Sequence, residues 1–234
     1  MRSLFTFLVS AALLCTLGSC GGKDKNSSPD FTKNSTTTDS LTMLLTAGNS
    51  ALDAAKPFIE KDLVVWAQSF TKFHVDSLMM THSTKFEELD YGKAEDMSSD
   101  YELFKPSISY SPDSSQFIDL YSAGISLEKK GKKIIAIGDV DMAVTLSNAK
   151  TKEWKRIAIF GPSAAIEEAV WTSPSSFILA GTMHNDAGEK IPIMMLGDTE
   201  SKTFRWFEAV NIKRPESSNY EASGIKKLKI DEWE

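Results

Sequence analysis

Cysteine is nearly absent from this chain. Only two occur in 234 residues, Cys15 and Cys20, and both lie within the first twenty. Everything after them is expected to carry no disulfide and no cysteine metal site. Histidine is scarce too. His74, His82 and His184 never fall at metal-binding spacing such as His-x-x-x-His, so each reads as an ordinary surface or core residue. No Gly-x-Ser-x-Gly elbow and no glycine-rich phosphate loop occurs. Gly161-Pro162-Ser163 is turn punctuation. Charge of a single sign is missing as well. The 26 basic and 32 acidic side chains give −6 and are mixed along the chain. Nucleic acid needs a clustered basic stripe, so no nucleic-acid partner is expected. No metal ion or cofactor is expected either.

What is present begins with an address. Arg2 precedes an apolar run, Leu4 to Leu17, too short for the roughly 20 residues that span a bilayer. A basic residue, a short apolar core and small residues make a secretory signal peptide. Here the small residues lead to Cys20. Leu17-Gly18-Ser19-Cys20 resembles the lipobox of bacterial lipoproteins, and the chain as a whole resembles small Gram-negative lipoproteins. The resemblance implies cleavage before Cys20, acylation of its thiol and residence in the cell envelope. Losing Arg2 with residues 1–19 moves the net charge from −6 to −7. Anchoring by two or more acyl chains is stable, at about 0.8 kcal/mol per buried methylene. Gly21 and Gly22 follow the Cys where an Asp would mark inner-membrane retention, which favours the outer membrane.

Residues 20–40 continue as GGKDKNSSPDFTKNSTTTDS from Gly21, with almost nothing apolar to offset the entropy of ordering. This composition predicts a flexible tether. The Asn-x-Ser/Thr matches at Asn26 and Asn34 read as coincidences of that tract. Residues 41–104 form the first part of the domain. Leu63, Trp66, Phe70 and Phe73 recur at helical intervals, and a helix is expected over 58–70 with Pro57 in its first turn. A strand is expected from Phe73 to Met80.

Residues 105–234 carry a half-hidden repeat and a C-terminal tail. DMAVTLSNAKTKEWKRIAIF (141–160) aligns without a gap on IPIMMLGDTESKTFRWFEAV (191–210). Leu146 meets Leu196, Asn148 meets Asp198, Lys152 meets Lys202 and Trp154 meets Phe204. Each reads as a β-hairpin whose turn is supported by an Asn or Asp side chain. ISYSPDSSQFIDLYS (108–122) and EAVWTSPSSFILAGT (168–182) also correspond, through a Ser-Pro turn into an apolar strand. The first copy is longer by a Lys-rich stretch, 124–140, read as an inserted hairpin with its tip near Gly131. The unit resembles one blade of a β-propeller. SPDSSQFIDLYS resembles the Ser-Pro-Asp-Gly turn of such blades and LSNAKTKEW their Asp-x-x-Thr-Gly turn, with Ser114 and Lys152 where Gly is usual. The expected fold is mainly β: two propeller-blade-like antiparallel repeats behind a small N-terminal segment with helical spacing. The alternatives are a β-sandwich or an α+β fold.

Candidate reactive groups are few. Asp139 and Asp141 stand two apart; on a strand they would share one face that could hold a hard cation, but the favoured reading is a solvated loop. Glu167-Glu168 reads as a charged turn before a strand. KRIAIFGP and FILAGT read as buried strands. Two function classes follow. One is a non-catalytic envelope lipoprotein, held to membrane lipid through acylated Cys20, that binds a protein or glycan. The other is an envelope hydrolase, which would need Asp113, Asp119, Asp139 or Asp141 to converge in one pocket.

Overall fold

The computed structural model describes residues 35–93 and 99–234. Its order starts with helix α1 (Ser35–Asp62), helix α2 (Val64–Gln68), strand β1 (Met79–Lys85), strand β2 (Asp90–Lys93) and helix α3 (Ser99–Phe104). Strands β3 (Ser109–Tyr110), β4 (Gln116–Asp119), β5 (Ile125–Lys130), β6 (Lys133–Gly138), β7 (Met142–Asn148) and β8 (Glu153–Phe160) follow. Then come β9 (Ala164–Trp171), β10 (Ser176–His184), β11 (Lys190–Asp198) and β12 (Thr203–Glu208), and the chain closes with helix α4 (Ser223–Leu228) and strand β13 (Glu232–Trp233).

The fold is mainly β. Sheet 1 runs β2-β8-β7-β4-β3, sheet 2 runs β1-β12-β11-β10-β9, and a third, three-stranded sheet runs β13-β6-β5. Every described ladder is antiparallel except the short pairing of β13 with β6. Each sheet is open, with a different strand at each edge, so no barrel or propeller closes among the described residues. Sheets 1 and 2 share one strand order, with β3, β4, β7, β8 and β2 in the places of β9, β10, β11, β12 and β1. The β5–β6 hairpin is the insertion between the second and third strands of sheet 1, and Gly131 at its tip has φ +69°. The fifth strand of each sheet comes from residues 79–93, one more per sheet than the four-stranded repeat predicts.

The turns of the two copies match in detail. Asn148 Oδ1 accepts the backbone N–H groups of Lys150 and Thr151, both at 2.9 Å. Asp198 Oδ1 accepts the N–H and the hydroxyl of Ser201, both at 2.7 Å. Lys152 and Lys202 follow with φ 59° and 52°, and Ser114 has φ 56°. These are left-handed conformations that Gly adopts without strain and L side chains do not.

Layer order follows from side-chain alternation. Leu52, Ala55, Ile59, Leu63, Trp66 and Phe70 form one buried stripe at intervals of three and four along the first two helices. The stripe packs on Ile178, Ala180, Met194, Leu196 and Phe207 of sheet 2. The alternate residues of those strands, Phe177, Leu179, Ile193, Met195 and Phe204, pack instead with Ile118, Val144, Ala158 and Phe160 of sheet 1. The molecule is thus helix, sheet 2, sheet 1. Strands β10 and β11 are covered on both faces, which is why they read as continuous apolar runs. Each fully buried large apolar side chain contributes about 1.5–3 kcal/mol.

Three local expectations shift. The first helix starts at Ser35, inside the stretch 20–40 assigned to the tether, so Pro57 sits in its interior rather than in a first turn. Its missing N–H costs one helical hydrogen bond, and the buried stripe on either side offsets it. Phe73 to Met80 is not one strand. A 3-10 turn at Val75–Ser77 intervenes, capped by His74, whose ring nitrogen accepts the N–H of Asp76 at 3.3 Å. Among the described residues no helix is long and apolar enough to cross a membrane. Cys20, the lipobox, Asn26 and Asn34 lie outside the described residues.

Candidate functional site

The four aspartates singled out in the sequence do not gather into one cluster among the described residues. Asp113 accepts from the hydroxyl of Ser111 at 2.8 Å and from the N–H and hydroxyl of Ser115 at 3.1 and 2.8 Å. These donors hold its carboxyl below the ordinary range and tie the Ser-Pro turn together. Asp119 is buried and accepts the N–H groups of Tyr121 and Ser122 at 2.9 and 3.1 Å, plus the Ser122 hydroxyl. Asp139 and Asp141 are both exposed, in the link between β6 and β7, not on a strand. The shared face that would hold a cation is therefore not formed. No group of three or more metal-ligating side chains exists among the described residues. His74 faces Asp76, His82 stacks on Trp206 with ring centroids 5.2 Å apart, and His184 ends β10, exposed.

The densest polar cluster lies instead at Glu167 and Glu168. They sit within β9, not in a turn. Ala180 pairs with Glu168 while Gly181 pairs with Ile166, so Glu167 is the extra residue of a β-bulge. Gly181 permits the bulge: a Cβ there would stand 2.0 Å from the carbonyl oxygen of Ala165. The bulge lets neighbouring carboxylates serve different partners. Glu167 receives both terminal nitrogens of Arg214, at 2.5 and 2.8 Å, and the indole N–H of Trp66 at 3.0 Å. Its carbonyl oxygen accepts the Tyr121 hydroxyl at 2.9 Å. Glu168 accepts the Tyr220 hydroxyl and the Ser223 N–H, both at 2.7 Å, together with the Ser223 hydroxyl.

Arg214 is clamped from every side. Its guanidinium lies 4.5 Å from the Phe70 ring centroid and 4.4 Å from that of Tyr220. Its Nε donates to the Ser69 hydroxyl at 3.0 Å. The Arg214 and Glu167 side chains are only 9% and 16% exposed. A bidentate pair so little hydrated is strong and intolerant of losing either partner. Burial pushes the phenols of Tyr121 and Tyr220 well above their ordinary range, and the nearby Glu168 carboxylate pushes the same way.

A polar cleft of about 250 Å³ opens beside this cluster, lined by Ser107, Ser109, Tyr121, Glu168, Ser223 and Lys227 among others. Of its lining, Glu167, Glu168 and Tyr121 already serve other partners, and Ser109 donates to the carbonyl oxygen of Ala169 at 2.8 Å. The cluster ties helix layer, both sheets and the segment after β12 to one edge strand. Its chemistry is that of a joint. Covering the edge of β9 in this way also blunts a strand that would otherwise be open to pairing.

A second, larger hollow has a different character. A groove of about 450 Å³ lies between the end of α1, α2 and the turn before β1. Its walls are Ile59, Val64, Ala67, Phe70, Phe73 and Val75, with Glu60, Lys72 and His74 at the rim. Val65, beside it on α2, is 59% exposed. An open apolar trough with a mixed polar rim suits an apolar segment of a macromolecule better than a small charged metabolite. Of the two hollows, the sequence revealed only the apolar walls of this one, as helical spacing. No protein-family model matches the chain, and no curated protein and no solved structure shows significant similarity to it.

Proposed function

We propose that this protein is a lipid-anchored component of the bacterial cell envelope, on the outer rather than the inner membrane, whose folded domain is a non-catalytic binding module. The observation that carries the reading is Leu17-Gly18-Ser19-Cys20 at the end of a short apolar leader. Two further features support it. Helix α1 begins fifteen residues after Cys20. It runs about 40 Å at 1.5 Å per residue, so the apolar groove lies at the end of the helix remote from the tether. The partner is then a protein segment with apolar side chains, or a glycan presenting an apolar sugar face.

The two large sheets are, in this reading, stacked blade-like repeats. Their support is the shared strand order and the direction of stacking. Leu146 packs in the cluster between the sheets, whereas its equivalent Leu196 packs under the helices. Equivalent faces therefore point the same way, face to back, as neighbouring propeller blades do.

The test is metabolic labelling with palmitate. Wild-type protein incorporates the label and Cys20→Ser does not, while the variant keeps its leader uncut or miscut. Equal incorporation by both would remove the anchor. For the module, a photo-crosslinker at Val64 or Phe73 should capture a discrete envelope partner that the same group at exposed Lys93 does not.

A further inference from the structure

The β5–β6 hairpin has an unfinished edge. On one side β6 pairs with β5 along its whole length, Lys133 to Gly138. On the other, only Ile135 and Ala136 are paired, with Glu232 and Trp233 of β13 in parallel register. Asp231 N–H donates to the carbonyl oxygen of Ile134 and Glu234 N–H to that of Ala136, both at 2.9 Å. The Ile134 N–H donates to the Asp231 carboxylate at 2.8 Å. Lys133 faces Glu232 at 3.7 Å, and Lys130 faces Glu234 at 3.5 Å.

These four residues sit there lightly. All are exposed, and Trp233 is 52% exposed beside exposed Ile137. Ion pairs this solvated hold their partners only weakly. Ile230, just before them, packs against the main core. Release of 231–234 would therefore leave the rest of the segment in place. The hairpin tip carries four lysines, Lys129, Lys130, Lys132 and Lys133, around Gly131. Lys129 and Lys132 form no ion pair among the described residues.

We propose that β6 is an acceptor edge for an extended acidic peptide of another protein, and that residues Asp231–Glu234 occupy this edge in cis and gate it. The seated segment supplies the template for the ligand: a parallel strand with acidic side chains on either side of an aromatic. Backbone pairing along an exposed edge gives such a peptide its affinity, and the lysines of the tip select its charge. The cis segment competes at an effective concentration in the millimolar range, so the partner must either bind tightly or present several copies. This goes beyond the anchored-module reading and does not depend on it.

The test titrates a fluorophore-labelled KIDEWE peptide against the full chain and against a chain ending at Ile230. The shortened chain should bind saturably and at least about tenfold more tightly than the full chain. Lys130→Glu with Lys133→Glu in the shortened chain should lose about tenfold, and added salt should weaken binding. Equal affinity for both chains, no binding to a shortened chain of unchanged melting temperature, or indifference to the lysine reversal overturns the proposal. Should the shortened chain fail to fold, Glu232→Gln with Glu234→Gln in the full chain serves instead. Amide exchange at Asp231 and Glu234 should then accelerate and peptide binding should appear; unchanged exchange overturns it. A full-length dimer that the free peptide disperses would make a second copy the occupant, and would overturn the cis assignment.

Discussion

Trp154 and Phe204 hold the same register position on equivalent strands, yet only Phe204 is in the core. Trp154 opposes Ser147 on β7, and Phe204 opposes Gly197 on β11. Phe204 is 1% exposed and stacks among Phe86 and Phe177, with ring centroids 4.5 and 6.0 Å away. Trp154 is half-buried, its ring lying over Gly92 of β2. Because the sheets stack face to back, the Phe204 face of sheet 2 is covered by sheet 1. The Trp154 face of sheet 1 is turned away from sheet 2. Equal burial of the pair, which the repeat predicts, is lost through stacking and not through register.

Unequal costs of truncation should follow. Phe204→Ala should destabilise by about 3–5 kcal/mol, the range for emptying a buried aromatic site. Trp154→Ala should cost about 1–2 kcal/mol, in line with its smaller buried area. Urea unfolding measures both. Equal losses would contradict the face-to-back order.

The Glu167–Arg214 pair should behave as a unit. Glu167→Ala or Arg214→Ala alone strands a poorly hydrated charge and should cost about 3–5 kcal/mol. The double variant should cost distinctly less than the sum, because neither charge is left without its partner. Additive losses in a double-mutant cycle would show that the two side chains do not support each other.

Left-handed lysines invite a stabilising change. A non-Gly residue in this conformation costs roughly 1–2 kcal/mol, part of which a glycine returns as unfolded-state entropy. Lys152→Gly should raise stability by about 0.5–1 kcal/mol. Lys202→Gly should gain less, since Lys202 Nζ also sits 2.9 Å from the Glu88 carboxylate. Thermal melts of the two variants decide the order.

Alkaline pH should unfold the protein through its buried phenols. Tyr121 and Tyr220 hold their protons more tightly in the folded state than the ordinary phenol, which titrates near about 10. Stability from them is complete below that pH and is lost as pH rises above it, because only the unfolded chain ionises readily. Tyrosinate absorbance followed alongside circular dichroism should show two of the five tyrosines titrating only as structure is lost. Smooth ionisation of all five with the fold intact would refute this.

The polar residues were legible where their partners are local. Asn148 and Asp198 bind N–H groups two or three residues on, so their turns could be read from spacing. The same locality explains why Asp113 and Asp119 failed as catalytic candidates: their lone pairs serve their own turns. Glu167 reads from sequence as part of a turn because its partners come from far along the chain. Trp66 is 101 residues away and Arg214 is 47.

The sequence by itself determined the strand periods, the paired turns, the inserted hairpin with Gly131 at its tip, and the apolar stripe of the helices. Each depends on neighbours a few residues apart, where side-chain alternation and turn chemistry act directly. Only the tertiary structure decided which face of each sheet is covered, how residues 79–93 supply a fifth strand to both sheets, and which carboxylates become the joint. The strand Met79–Lys85 is mostly exposed and polar, so no alternation marks it. Its place is set by backbone pairing with β12. Burial is a property of what packs on top, and in this chain that neighbour lies tens of residues away.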